Sequence, residues 1–562
     1  MNFKNFAYAG AASLFILSGC SKKLNQFPAD YFTVNPNPLE VVGDRVPATV
    51  TANIPAKFFV KNAEVTVTPY LLFDGQEVAS QSYTYQGEKV RGNAPVISYD
   101  RGSSVTIPVM FNYQPEMIQS DLALSFLVKQ GNKQYVLPRV TIAKGVVATA
   151  ALVDPANAEA AIAPDRFQRI INEKYAADIK FLINRANIRN EQLQSSEMID
   201  LNQQIVSANE AQNREIKEIN ISSYASPDGT LDFNTRLAKQ REENTSKYLK
   251  EQLNRDNVTA FGELTANFTP EDWEGFQKLV AASNIQDKDL IISVLSMYKD
   301  PEVREREIKN LSSVFDQLAE QILPQLRYSR ITASINVIGK SDREIMELFA
   351  TNPSALSVEE ILYCATLTDN NDQKLNIYNK AAELYPQDYR TFNDLGVAQF
   401  RAGDFTAAKA NFAQAARLAP AEAEPQLNLG LSSLLKKDYR DAKQKFGNAA
   451  GAKELGEATG TLYLMQGDVN GAVKAFGDAK SNNAGLAQIL AKNYSKAKNT
   501  LTSVQTPDAT TYYLLAVLGA RTNNESMVKS NLAQAVKLDR SLAQKAEKDL
   551  EFANYNIASS IR

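Results

Sequence analysis

The side chains that could carry chemistry are few and scattered. There is no histidine in the 562 residues, which removes the usual proton carrier near neutral pH and the commonest metal ligand. The two cysteines, Cys20 and Cys364, stand in unlike contexts. They build neither a disulfide framework nor a cysteine zinc site. A histidine- or cysteine-dependent triad is therefore excluded, and no metal site is expected. Acidic residues are plentiful, but no paired carboxylates stand in a motif, and a solvated surface accounts for them. The chain is expected to be no enzyme, with activity on cell wall or glycans as the remote alternative. A formal charge of −3 gives no electrostatic reason to expect nucleic acid.

Cys20 follows an N-terminal segment whose pattern is that of an export signal. Lys4 supplies a positive start, and the run from Phe6 to Leu17 is largely apolar. That run is too short to cross a hydrocarbon core of about 30 Å. Leu17-Ser18-Gly19-Cys20 resembles the lipobox of bacterial lipoprotein precursors. The resemblance implies a signal peptide over 1–19, cleavage before Cys20, and acyl chains such as palmitate on that cysteine. Several acyl chains hold a protein to a bilayer far more durably than one. The outer membrane is thus the expected anchor, and this covalent lipid replaces any cofactor. Ser21-Lys22-Lys23 is basic, whereas some lipoproteins of the Bacteroidota carry acidic residues there as a surface-export signal. The periplasmic side is therefore expected over the cell surface. Cys364, in the apolar run from Ile361, reads as an inert buried thiol.

A second group of residues needs a strand and a helix to position it. Ile179–Ile183 reads as a strand, a polar helical stretch runs to about Asn213, and Glu215–Tyr224 reads as a second strand. A turn over Ala225–Gly229 and a helix from about Phe233 to Leu253 follow, with Phe233, Leu237 and Tyr248 compatible with one buried stripe. This order resembles the OmpA C-terminal-like, peptidoglycan-associated domain, with Gly229, Asn234, Leu237 and Arg241 as the matching residues. In that family a turn aspartate pairs with the ammonium of meso-diaminopimelate, and a helix arginine grips its carboxylate in a two-pronged bond. The resemblance assigns the arginine to Arg241 and puts the aspartate position on Ser226. Serine cannot neutralise an ammonium. Asp228, two positions along, is the substitute carboxylate, and Asn234 belongs to the same candidate peptidoglycan-binding set. The bland alternative has Asp228 capping the turn and Arg241 in a surface ion pair.

That α+β domain is expected over 165–339, with a helical insertion at about 258–325. Trp273, Phe276 and Leu279 have helical spacing there, and Trp273 is expected to be buried rather than an anchor for a partner. Arg330–Val337 alternates as the returning strand. Before it, residues 30–143 alternate at period two in runs such as Ala63–Phe73, Ser104–Tyr113 and Leu122–Lys129. Asp74-Gly75 and Gly131-Asn132 supply tight turns. About eight strands suggest an antiparallel, immunoglobulin-like β-sandwich, with Tyr83 and Tyr85 as packing residues. A tether over 20–29 precedes it, and an Ala/Val-rich linker over 144–164 follows.

Residues 356–556 lose the β pattern and become self-similar. Pro386 and Pro420 stand 34 residues apart, enclosing Leu395-Gly396, Ala408, Phe412 and Ala415. The next unit repeats them as Leu429-Gly430, Ala442, Phe446 and Ala449. This resembles the tetratricopeptide repeat, an all-α solenoid of helix–turn–helix units. Gly396, Gly430, Ala408 and Ala442 let helices approach, while Phe412 and Phe446 fill the space between units. Shortened units follow at Gly460–Ala479 and around Asn493-Tyr494 and Ala497, and a fifth lies over 509–537. Ile361–Leu384 is expected to cap the array, with a linker at 340–355 before it and a tail at 557–562 after it. Stacked repeats form a concave groove, which in this family generally binds peptides or proteins.

The domain order resembles Bacteroidota lipoproteins that join OmpA-like and tetratricopeptide segments. Two functions follow. One is an outer-membrane-anchored scaffold that contacts peptidoglycan through Arg241 and recruits a protein at the repeat groove. The other drops the wall and makes the chain a subunit of an assembly, secretion or surface complex.

Overall fold

The computed structural model describes residues 24–285, 288–310 and 312–562. Cys20 lies outside them. The chain is multidomain, with a sheet-rich N-terminal part and a helical C-terminal region. One compact unit comprises the described residues up to Pro164 together with Thr368–Arg562, and the other is Asp165–Leu367.

The sheet-rich part contains β1 (Phe32–Asn35), β2 (Leu39–Glu40), β3 (Arg45–Ile54), β4 (Ala63–Phe73), β5 (Gln76–Ala79), β6 (Tyr83–Gly87), β7 (Val96–Ile97), β8 (Ser103–Asn112), β9 (Asp121–Gln130), β10 (Lys133–Lys144) and β11 (Val146–Val147). One sheet has the order β1-β3-β8 and another β10-β9-β4-β6-β7, with β5 paired to β4. Most pairs are antiparallel, but β2–β11 and β6–β7 are parallel. Along β4 every second residue is buried, as strict alternation requires when only one face meets a core. Asp74 and Gly75 both take positive φ, 45° and 70°, in the two-residue turn between β4 and β5. Tyr85 is buried and donates to the Thr106 carbonyl at 3.4 Å.

The expected tether at 20–29 is too long. Leu24 and Phe27 are buried in the sheet-rich core, and Phe27 stacks on Phe126 at 4.5 Å between ring centroids. Two large apolar side chains so close to the first strand gain more from that core than from water.

In the second unit β12 (Ile170–Lys180), β13 (Arg214–Tyr224), β14 (Phe261–Thr269) and β15 (Tyr328–Ile338) form a sheet of order β12-β15-β13-β14, with β13 and β14 parallel. α1 (Asn190–Leu193), α2 (Ser196–Glu210) and α3 (Leu231–Arg255) join the first three strands. Met198, Leu201 and Ile205 of α2 and Leu249 and Leu253 of α3 share a core with Ile219, Ile221, Ile331 and Ile335 of the sheet. α4 (Trp273–Ala282), α5 (Lys288–Met297), α6 (Pro301–Asn310) and α7 (Ser312–Gln321) lie between β14 and β15. Phe276, Val280 and Leu318 are buried there, with Trp273 half-buried and its ring edge against Phe276. α8 (Asp342–Thr351) and α9 (Val358–Cys364) end the unit.

Four expectations change here. The first strand spans Ile170–Lys180, and Leu182 and Ile183 beyond it are exposed. Only Ala177 and Ile179 of this edge strand are buried, so most of its length carries no alternating buried pattern. The helical insertion at 258–325 begins with β14, whose residues are all exposed or half-buried and so carry no alternating pattern. The α3 stripe runs through Leu237, Arg241, Thr245 and Leu249, leaving Phe233 and Tyr248 half-buried at its margins. The linker at 340–355 holds α8, closed by a capping box between Ser341 and Glu344. Cys364 is buried, and burial pushes its thiol up to about 11.

The C-terminal region begins with α10 (Asn371–Leu384). The pairs α11 (Tyr389–Arg401) and α12 (Phe405–Leu418), α13 (Ala423–Leu434) and α14 (Tyr439–Gly447), α15 (Leu455–Met465) and α16 (Val469–Phe476), α17 (Asn482–Leu490) and α18 (Tyr494–Thr502), and α19 (Ala509–Arg521) and α20 (Glu525–Leu538) follow, then α21 (Leu542–Lys548). Asp404, Asp438 and Asp468 each cap the second helix of a pair, satisfying N–H groups that a helix start leaves open. Of the expected cap at 361–384, residues up to Leu367 belong to the other unit. The tail at 557–562 is packed rather than free, with Ile557 and Ile561 buried against the last helices.

Candidate functional site

The first candidate site lies in the unit Asp165–Leu367. Its arginine is neither a free grip nor half of a surface ion pair. Arg241 is fully buried. Its Nη1 donates to the Tyr224 carbonyl at 2.7 Å, its Nε to that of Arg185 at 3.0 Å, and its Nη2 to that of Leu182 at 3.4 Å. The guanidinium carbon stands 5.0 Å from the Phe181 ring centroid. Three donors thus reach the carbonyl of Tyr224, the last residue of β13, and two carbonyls of the segment after β12. Burial, and the nearby Arg327, pull its pKa down to about 10, with Asp228 opposing.

Asp228 and Ser226 face a partner that spacing did not reveal. Arg327, just before β15, donates through Nη2 to Asp228 Oδ2 at 2.8 Å and through Nε to Ser226 Oγ at 3.1 Å. The Ser226 hydroxyl donates to Asp228 Oδ1 at 2.7 Å. Asn234 closes the turn from α3 by donating to the Gly229 carbonyl at 2.9 Å. The sequence therefore brings Ser226, Asp228 and Arg241 to one end of the sheet, but Asp228 is paired with Arg327. Arg327 holds this carboxylate directly, while the buried Arg241 feels its charge without bonding to it. Asp272, the cap of α4, is buried beside Tyr328, and burial raises its pKa. Among the described residues no group of three or more histidine, cysteine, aspartate or glutamate side chains is placed to hold a metal ion.

The second candidate site is the groove of the helix pairs. Gly396, Gly430 and Gly460 lie against Phe412, Phe446 and Phe476 of the partner helices, and a Cβ on Gly396 would stand 2.6 Å from the Phe412 ring. Ala408 and Ala442 are completely buried beside these contacts. Tight pairing of this kind fixes the first helices of successive pairs side by side and gives them one common face.

That common face is occupied by the chain itself. Residues 153–163, expected as a linker, lie along it. Asn428 accepts the Ala161 N–H at 2.8 Å and donates to the Ala161 carbonyl at 2.8 Å. Asn393 donates to the same carbonyl at 2.9 Å, and Asn428 donates to the Asn393 side-chain oxygen at 2.9 Å. Asn483 repeats the grip on Asp154, accepting its N–H at 3.1 Å and donating to its carbonyl at 2.8 Å. The Ala163 N–H donates to Asp394 at 2.8 Å.

Asp394, Asn428 and Asn483 each stand two residues before a packing glycine, Gly396, Gly430 and Gly485. The third pair has Ala458 at that place. This recurrence is a signal in the sequence, carried by polar positions rather than by the apolar and glycine positions that mark the repeat. Ala158, Ala160, Ala161 and Ala163 are nearly inaccessible, whereas Glu159 points outward within 4.0 Å of Arg401. Side chains larger than alanine would overpack those slots. Burial raises the Asp394 pKa to about 7, against the lowering effects of Asn393, the Ala163 amide and Arg390; Glu424 adds to the rise.

No family model matches the chain, and no curated protein does. Solved structures similar to part of it include a tetratricopeptide repeat protein from Parabacteroides merdae, 12% identical over 39% of this chain and 91% of that one, with a TM-score of 0.29. PilF of Pseudomonas aeruginosa is 15% identical over 38% of this chain and 99% of its own, with a TM-score of 0.28. YrrB, described as a tetratricopeptide protein with an unusual peptide-binding site, is 20% identical over 30% and 97%, with a TM-score of 0.22.

Proposed function

We propose that the chain is a non-catalytic scaffold, held to the outer membrane by lipid on Cys20, whose tetratricopeptide-type repeats recruit a protein partner on the periplasmic side. The observation that carries this is the row of side-chain amides, Asn428 and Asn483 above all, each gripping both the N–H and the carbonyl of one residue in the segment laid along them. Such a surface recognises peptide backbone directly. Because Leu24 is already packed in the sheet-rich core, the stretch from Cys20 spans at most about 14 Å when fully extended, which would keep that part close to the bilayer. Among the described residues no helix is long and apolar enough to cross a membrane. The test is fractionation of cells producing the full chain and a Cys20→Ala variant, with cross-linking in the envelope. The scaffold predicts outer-membrane recovery that Cys20→Ala abolishes, and a cross-linked protein partner. Unchanged fractionation and the absence of any cross-linked protein would contradict it.

A second function is favoured by the cluster of Arg241 and Arg327 around Asp228. In it the domain over 165–339 is OmpA-like and contacts peptidoglycan. Two cations to one carboxylate leave an excess positive charge suited to a carboxylate of the wall peptide. Sedimentation of the full chain with peptidoglycan sacculi, compared with an Arg327→Met variant, tests it. No sedimentation of the folded chain would leave the assembly-subunit alternative.

A further inference from the structure

The segment in the groove has features of a ligand rather than of a hinge. After one 3-10 turn at Pro155–Asn157, residues 158–163 form no helix or strand, yet Ala158, Ala160, Ala161 and Ala163 are buried. Their backbone groups are met by side chains of α11 and α13, while Asp154 is met by α17. The segment runs opposite to the repeats, since Asp154 meets the fourth pair and Ala163 the first. Both of its ends remain in the chain, so its local concentration at the groove is high without any one contact being strong.

We propose that the groove is a binding site for extended, alanine-rich peptide backbone, that residues 153–163 fill it in cis, and that a protein partner enters by exchanging a segment of the same chemistry for them. This deepens the scaffold function above and rests on it. The specificity follows from the slots. Small side chains are buried at Ala158, Ala160, Ala161 and Ala163, both backbone groups are used at Asp154 and Ala161, and Asn157 and Glu159 are exposed. A short tether gives an effective concentration of roughly millimolar. A free peptide of micromolar intrinsic affinity therefore binds the closed chain roughly a hundredfold to a thousandfold more weakly than the open one.

The experiment uses the full chain and a fluorescent synthetic peptide of residues 151–166. Ala161→Asp with Ala163→Asp expels the cis segment and leaves every groove residue intact. The expected result is at least tenfold tighter peptide binding to this double variant than to the unaltered chain, and loss of that gain when Asn428→Ala is added. Equal, weak binding to a double variant that keeps its circular dichroism and cooperative melt would overturn the proposal and make the segment a permanent strap. Should the double variant not fold, hydrogen exchange of the unaltered chain decides. Millimolar unlabelled peptide is expected to speed exchange of the residue 153–163 amides at least threefold, and unchanged rates overturn exchange. Persistent envelope cross-links alongside a negative peptide result would reject the exchange while keeping the scaffold, whereas loss of both would reject the scaffold as well.

Discussion

Asn428 and Ala161 are 267 residues apart in sequence, yet the amide of one holds both backbone groups of the other, each at 2.8 Å. Ala161 has no accessible surface left. A residue gripped at its N–H and its carbonyl can neither shift register nor rotate, so this pair sets where the segment lies in the groove. Asn393 and Asp394 then add a second carbonyl bond and the Ala163 amide.

Replacing Asn428 with alanine removes the two bonds to Ala161 and the one to Asn393. Buried groups left without partners cost about 1–3 kcal/mol each, and relaxation of the segment reduces the sum. Urea unfolding of the full chain is expected to show a loss of roughly 2–3 kcal/mol for Asn428→Ala. Asn483→Ala, which loses two bonds to Asp154 and a longer one to Thr461, should lose less.

Gly430 has a packing role, not a turn role. A Cβ there would run into the Phe446 ring, so Gly430→Ala is expected to destabilise by about 1–3 kcal/mol through overpacking. Phe446→Leu added to it should recover part of the loss, because it vacates the same space. Strictly additive losses in that double-mutant cycle would separate the two residues.

Asp394 makes the stability of the groove depend on pH. Its folded pKa of about 7 lies above the usual carboxylate value, so the folded state holds the proton more tightly. Its contribution is full below about pH 4 and is lost as pH rises through about 7. Asp394→Asn keeps an oxygen for the Ala163 amide and removes the charge. Melting curves from pH 5 to 8 are expected to fall for the unaltered chain and to be flatter for Asp394→Asn, which should be the more stable of the two at pH 8.

Arg241 is expected to matter first for stability. Arg241→Ala leaves the carbonyls of Tyr224, Arg185 and Leu182 without their donor, a loss of roughly 2–4 kcal/mol. Arg241→Lys should not restore it, since a single ammonium cannot reproduce the planar fork that reaches three separate acceptors. Full stability in Arg241→Lys, measured by denaturation, would mean that the three bonds contribute little.

What could be read in advance follows the periodic elements. The β4 alternation and the Gly396/Phe412 and Gly430/Phe446 pairs present one apolar face to a core, and that regularity is visible along the chain, whereas the buried stripe of α3 includes Arg241 and Thr245 and is not. β14 was not visible because it buries nothing completely. Arg327 was not visible because its partners, Ser226 and Asp228, come from a turn about a hundred residues earlier. The alanines at 158–163 carry too little hydrophobic surface to mark a binding segment, and only the amides facing them reveal what they do.

The groove of the repeats is filled from within. Glu159 projects from the segment, between buried Ala158 and Ala160, and offers a cleavage point to a glutamate-specific protease. The full chain is expected to be cut after Glu159 at least tenfold more slowly than a free peptide of residues 151–166, and the Asn428→Ala, Asn483→Ala double variant is expected to lose that protection. Cleavage of the unaltered, folded chain at the rate of the free peptide would contradict the claim and leave the groove open to any partner.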